Sequence, residues 1–346
     1  MGKDIIPGDW EHYLSCLPLE TYNHTQLLDQ CGQLDLNSAQ IFSDHDTVEI
    51  WRTDYSGKLS MSKFDANNID TSGDTAYIIH QNHSWSPLNT SLDAIRKLMT
   101  AYKISPILLD AIRAFGSKVT GDDDPYFNFC SFKTDTGEEN GDYEICYLLR
   151  TYERHGRNSL KDPWSLRQMA VYERFDATTG RSVWILIQPF ASGKSEFLRQ
   201  CFRPQASRMM GAKLHGMFIG TALANWRWYL NDQRRLLNVH NEKAVFSQAT
   251  PKAVDYDTGF SDCQKLHQLA WNLSLGEEIL ASYSHIVQTL QSNLMTKKDE
   301  MLDTIRQIHR LVRNAAALRN NSERTSKLVD IHNNISPAWT LADRFN

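Results

Sequence analysis

From Ser261 to Ile331 apolar residues recur three and four positions apart. They run Leu266, Leu269, Leu273, then Leu280, Tyr283, Val287, Leu290, Leu294, then Leu302, Ile305, Ile308, Leu311, Ala315 and Leu318. That spacing holds them on one stripe of an α-helix. The run contains no proline, and its only internal glycine is Gly276. Ser261 followed by Gln264 fits a capping box, and Ser336-Pro337 is the expected stop. One unbroken helix of this length would measure about 100 Å at 1.5 Å per residue. Two readings follow. A straight limb would leave the stripe free for self-association. A helical hairpin, bent at Asn293–Lys298 or Asn320–Ser322, would bury it on the chain's own body.

Upstream the pattern changes to mixed helix and strand. Residues 1–43 are punctuated by Pro7-Gly8 and Pro18 and are expected at the periphery, with a short helix over Thr25–Leu36. Val48, Ile50 and Trp51 suggest a first strand and Ala76–His80 another, separated by the Asp-, Ser-, Gly- and Asn-rich loop Asp54–Asp74. Leu92, Ile95, Leu98, Met99 and Tyr102 have helical spacing behind Thr90 or Ser91 as cap. A second helix starts at Ser105-Pro106, buries Leu108, Leu109, Ile112 and Phe115, and ends at Gly116. Phe127, Phe129 and Phe132, and then Ile145–Leu149, suggest two more strands. Leu166–Glu173 alternates, Asp176–Gly180 supplies a turn, and Val183–Ile187 returns as a β-branched strand, which reads as a hairpin. Ser192-Gly193 and Pro204 then break the chain, Met217–Val239 reads as one amphipathic helix, and Glu242–Thr258 as a polar connector.

The sum is an α/β protein: a mixed sheet flanked by helices, followed by long C-terminal stalk-like helices. The expected divisions are a peripheral segment 1–43, an α/β body 44–240, a connector 241–260 and the helical limb 261–346.

Composition narrows the function. The 346 residues are 41% hydrophobic and 23% charged, ordinary for a folded protein. A net charge of -4 argues against a nucleic-acid partner. Six cysteines (Cys16, Cys31, Cys130, Cys146, Cys201, Cys263) form no CxxC pair and read as reduced thiols of a cytoplasmic protein. No signal-peptide core is visible, and no run reaches 18 apolar residues.

The candidate chemistry is thin. Gly193-Lys194-Ser195 follows a strand and resembles the end of a phosphate loop, but Gln188 stands where that loop needs its first glycine. The alternative is a basic turn. His45, His80 and His83 are weighed as metal ligands against polar residues at a strand end. Asp122-Asp123-Asp124 is weighed as a seat for a hydrated divalent cation against a solvated acidic loop. Trp226, Trp228 and Tyr229, near Arg227, Arg234 and Arg235, form either a binding face or an amphipathic helix with its aromatics on the sheet and its arginines outside. No GxSxG elbow occurs, and no catalytic residue, organic cofactor or enzymatic activity is expected.

Several pieces taken together carry a resemblance. They are Leu92–Phe115 with its Ser105-Pro106 start, Trp164-Ser165-Leu166-Arg167-Gln168 running into Ala170-Val171-Tyr172, Trp184-Ile185-Leu186-Ile187, and Asn225-Trp226-Arg227-Trp228-Tyr229-Leu230-Asn231-Asp232. Over residues 76–330 the order of these pieces resembles the cytosolic region of fungal CorA-like divalent-cation transporter proteins. The resemblance implies an α/β/α cytosolic domain, long stalk helices with coiled-coil packing, and a five-subunit oligomer. It also implies metal-ion transport, with Mg²⁺ sensed at acidic residues as a weak regulatory ligand. The family's transmembrane helices and Gly-Met-Asn signature are absent from this chain, so any membrane contact is expected only through a segment the chain lacks. The sensing carboxylates match no motif here. Asp299, Glu300 and Asp303, or the Asp122 cluster, are candidates by charge and place alone. The expected role is therefore a cation-sensing regulatory domain of a CorA-like transport protein, self-associating through its C-terminal helices. The alternative is a stand-alone scaffold or signalling protein that uses those helices to bind partners.

Overall fold

The computed structural model describes residues 10–17, 22–53, 59–66, 68–71, 73–118, 130–134, 141–157, 162–200, 208–246, 258–294 and 301–342. The chain divides into two compact units, each discontinuous in sequence: one of residues 1–151, 166–222 and 285–301, the other of 152–165, 223–284 and 302–346.

The first unit is organised by a seven-stranded sheet. Its strands are β1 (Glu49–Thr53), β2 (Leu59–Lys63), β3 (Thr75–Ile79), β4 (Cys130–Thr134), β5 (Tyr143–Arg154), β6 (Trp164–Asp176) and β7 (Arg181–Ile187), in the spatial order β2-β1-β3-β7-β6-β5-β4. The sheet is mixed. β3 and β7 run parallel, whereas β1 pairs with β2 and β3, β4 with β5, and β6 with β7 in antiparallel register. β6 and β7 form the hairpin expected around Asp176–Gly180, and Gly180 takes the positive φ (67°) that the turn needs. β2 lies inside the stretch expected to be loop. It is an edge strand with mostly exposed side chains, so its pairing with β1, not an apolar pattern, makes it a strand.

Successive strand residues point to opposite faces. One face presents Tyr77, Ile79, Cys146, Leu148, Tyr172, Ile185 and Ile187 to a core closed by α1 (Glu11–Ser15), α2 (His24–Leu36), α4 (Leu92–Tyr102) and α5 (Ile107–Arg113). A one-turn helix, α3 (Ser38–Ile41), follows α2. Trp10, Tyr13 and Leu34 are buried in that core, so this N-terminal segment is not peripheral. Its few large side chains are widely spaced, and the Tyr13 hydroxyl is anchored on the Ile104 carbonyl at 2.8 Å. Ser91 caps α4 as expected, and α5 begins at Ile107 with Pro106 in the N-cap position, one residue later than the expected Ser105 cap.

The other face is covered by α6 (Ala191–Gln200) and α7 (Arg208–Leu223), with Trp184 packed on Phe197, His215 and Phe218. Ser192-Gly193 therefore does not break the chain. It sits in the first turn of α6, with Gly193 buried against Phe218 and Thr221. The helix expected over 217–239 is likewise two, α7 and α8 (Trp226–Phe246), separated at residues 224–225. The apolar periodicity carries across that break and conceals it.

The second unit is helical. α8, the first part of α9 (Phe260–Asn293) and α10 (Leu302–Ala342) pack together. The limb is the hairpin, with its break after Asn293. Arg319 bonds Glu277 at 2.7 Å, the Ser322 hydroxyl donates to the Leu266 carbonyl at 2.8 Å, and Ser326 meets His267 at 3.2 Å. Leu266, Leu269, Leu273, Leu280, Tyr283, Ile308, Leu311, Ala315 and Leu318 are all buried, so the stripe is consumed within the chain. α10 continues through Ser336-Pro337 to Ala342 instead of stopping there. A proline deletes one backbone donor, and the remaining bonds carry the helix past it. The Ser261–Gln264 capping box is replaced by a reciprocal one: Asp262 accepts from the Gly259 N–H at 3.2 Å, and the Asp262 N–H donates to the Gly259 carbonyl at 2.9 Å.

Candidate functional site

Among the described residues, three groups of polar side chains bear on function. The first lies at the carboxyl ends of the parallel strands β3 and β7. His80 follows β3, Glu49 opens β1, and Lys194 comes from α6 behind β7. Lys194 Nζ donates to both Glu49 carboxylate oxygens at 2.8 Å, and His80 Nε2 lies 3.1 Å from Glu49 Oε1 and 3.2 Å from Lys194 Nζ. The Trp51 indole donates to the same carboxylate. Burial opposes ionisation of Glu49, but the Lys194 and Trp51 hydrogen bonds and the Lys194 charge hold its carboxyl below the ordinary value. Burial and Lys194 hold His80 below its ordinary value against the pull of Glu49. Beside them Gln188, whose backbone stands at φ 51°, accepts the Gln81 N–H on its side-chain Oε1 at 2.7 Å.

This cluster brings together two residues the sequence singled out, Lys194 and His80, and removes the phosphate-loop reading. Gly193-Lys194-Ser195 is helical. The Lys194 N–H bonds the Phe190 carbonyl, the Ser195 hydroxyl bonds the Ala191 carbonyl and the Lys194 ammonium is held by Glu49, so the groups a phosphate loop would offer are already engaged. His45 and His83 do not join His80, and among the described residues no group of three or more His, Cys, Asp or Glu side chains forms a metal centre. Asp122-Asp123-Asp124, Asp299 and Glu300 lie outside the described residues. Asp303 is exposed and paired with Arg306 at 3.0 Å.

The second place is buried between the sheet and α7. Glu173 of β6 and His215 of α7 have no solvent exposure and meet at 2.9 Å. Tyr143 and Ser182 donate to the Glu173 carboxylate at 2.9 and 2.8 Å, and Tyr147 shares a 2.8 Å bond with His215 Nδ1. Gly211 makes room for them: a Cβ there would lie 2.8 Å from the Tyr143 oxygen and 3.0 Å from Glu173. The signal was Glu173 on a strand face with Met169 and Val171, an unexplained charge among apolar neighbours. His215 gave none.

The third place is in the helical unit. Asp262 faces His240 at 3.2 Å, Lys243 at 3.5 Å and Lys265 at 3.8 Å. The aromatic helix start also resolves here. Trp226 and Tyr229 are buried against Tyr152 and Trp164, with Tyr229 stacked on Tyr152 at 3.7 Å, while Trp228 is exposed. Trp226 and Tyr229 thus pack as the amphipathic reading requires. No described helix is long and apolar enough to cross a membrane.

Residues 13–245 match a family model described as CorA-like transporters. Among solved structures, the cytoplasmic domain of ZntB from Vibrio parahaemolyticus RIMD 2210633 is similar with a TM-score of 0.43 at 12% identity, covering 86% of this chain and 99% of that one. Full-length CmaX is similar with a TM-score of 0.47 at 12% identity, covering 88% and 80%. No curated protein matches.

Proposed function

The chain belongs to the CorA-like transporter family, and from that premise we propose that it is a regulatory, non-pore domain of a metal-ion transport protein. In this reading it lies on the cytosolic side, senses divalent cations such as Mg²⁺, and supports subunit assembly without catalysing a reaction. The observation that carries it is the family match over most of the α/β body, in a chain whose described helices include none able to span a bilayer. Sensing follows from simple electrostatics. Carboxylates of neighbouring subunits repel, a cation between them relieves the repulsion, and its loss shifts the population toward separated subunits. In this reading any helix that crosses the bilayer belongs to sequence outside the described helices.

Light scattering of the purified chain, first in EDTA and then in millimolar Mg²⁺, tests this. A metal-dependent oligomer supports it. A mass and a melting temperature both indifferent to metal overturn the sensing role.

A second reading, a scaffold that binds partners through its helices, draws on a different surface from the one expected. The apolar stripe of the limb is internal, but Trp228, Val239 and Phe246 on α8 are exposed and fall on one helical face. Substituting these three with Ser and finding an unchanged oligomer but a lost partner would favour that reading.

A further inference from the structure

A cavity of about 480 Å³ opens in the first unit where the β6–β7 turn meets the end of α4, apart from the three polar clusters. Its lining includes Lys103, Arg174, Arg181, Asp142 and Asp176. The two carboxylates are already engaged. Asp142 accepts from the Ala177 N–H at 2.7 Å, and Asp176 accepts from the Thr178 and Thr179 N–H groups at 2.8 and 3.1 Å, so both brace the turn.

The cations are disposed differently. Arg174 Nη1 donates to the Tyr102 and Lys103 carbonyls at the end of α4. Those carbonyls are the negative end of the helix, and the guanidinium, which also faces Glu144 at 3.7 Å, offsets the negative charge there that would repel an anion. Lys103 and Arg181 are exposed, and among the described residues neither side chain makes a hydrogen bond, although the Arg181 charge acts on the neighbouring Asp74 carboxyl. Lys103 also occupies the left-handed position that ends α4 (φ 48°, ψ 45°), where glycine would sit without strain. The backbone thus places an uncommitted lysine at the cavity.

We propose that this cavity binds a small phosphate-bearing anion, with Lys103 and Arg181 as its charged ligands and Arg174 as the fixed base of the site. The chemistry is donor-rich: each lining carboxylate already accepts from the backbone of the turn, and the exposed Lys103 and Arg181 side chains remain for a ligand whose oxygens need donors. The volume falls in the range of small-molecule pockets.

The test is calorimetric titration of the whole chain with inorganic pyrophosphate, in EDTA and at constant ionic strength. Arg181→Glu removes and reverses one ligand. Lys103→Asn removes the other with a residue that tolerates the left-handed conformation. Lys213→Glu, on an exposed turn of α7, is the control for general charge. The expected result is measurable binding by the natural chain, weakened tenfold or more by Arg181→Glu and by Lys103→Asn, and unchanged by Lys213→Glu. Absence of binding, or equal weakening by all three, overturns the proposal. Because no divalent cation is present, that failure is distinct from failure of the metal-sensing reading.

Discussion

His215 Nε2 lies 2.9 Å from Glu173 Oε2, and neither side chain has any contact with solvent. A pair this deep is held by its hydrogen bonds, because the cost of leaving water is large and must be met locally. Tyr143, Ser182 and Tyr147 supply them. Removing either partner strands the other. Glu173→Ala and His215→Ala should each lower the unfolding free energy by about 3–5 kcal/mol. The double variant should cost clearly less than the sum, since neither buried partner is then left without the other. Urea unfolding of the four proteins measures this, and strict additivity would refute the coupling.

Two glycines of α7 test the packing around that pair with opposite signs. At Gly211 a new Cβ would meet the Tyr143 oxygen at 2.8 Å and the Glu173 carboxylate at 3.0 and 3.1 Å. Gly211→Ala should therefore destabilise by about 1–3 kcal/mol through overpacking. At Gly220 nothing lies within 4 Å and the position is exposed in the helix. Gly220→Ala should stabilise by about 0.5–1 kcal/mol through helix propensity alone. Thermal unfolding of the two variants distinguishes them, and equal shifts would contradict the account.

The elements that were legible in the sequence are those with a local signal. The Ser91 cap, the β6–β7 hairpin and the limb all announce themselves by periodicity or turn chemistry, and each is present. β2 was not legible, because an edge strand with exposed side chains carries no apolar alternation. The α7–α8 break was hidden because residues on both sides bury apolar faces in an unbroken rhythm. The Glu49–His80–Lys194 cluster brings to Glu49 two residues 31 and 145 positions away, a relation created by the antiparallel pairing of β1 with β3 together with the parallel pairing of β3 with β7. Lys194 was noticed for the wrong chemistry: next to Gly193 it looked like a phosphate ligand, and the fold gives it a carboxylate.

That cluster should make the first unit sensitive to acid. Glu49 is held below its ordinary value, so its contribution is present above the unfolded pKa and lost as the pH falls through the folded one. His80 is also depressed: the fold favours the neutral ring, and that preference opposes folding as the pH drops below about 6.5, the ordinary histidine value. Both effects have the same sign. Lys194→Met removes a charge that lowers both groups, so the His80 pKa should rise and less stability should be lost between pH 7 and 5. The Cε1 proton resonance of His80 reports the first and the melting temperature across that window the second. An unmoved His80 titration would show that Lys194 does not control the ring.

Asp262 gives the helical unit a comparable device with a sharper signature. Burial opposes its ionisation, but the Gly259 N–H, Lys243, His240 and Lys265 together hold the carboxyl below its ordinary value. His240 is held low by burial and by Lys265 and Lys243, against the pull of Asp262. The two kinds of neighbour therefore act on the ring in opposite directions. Asp262→Asn should lower the His240 pKa further, because the carboxylate that faces the ring is gone, whereas Lys265→Met should raise it. Asp262→Ala should in addition free the Gly259 N–H at the start of α9 and destabilise by about 1–2 kcal/mol, the cost of a lost cap. Histidine titrations by NMR separate the two effects. Shifts of the same sign in Asp262→Asn and Lys265→Met would mean that solvation, and not these charges, sets the state of His240.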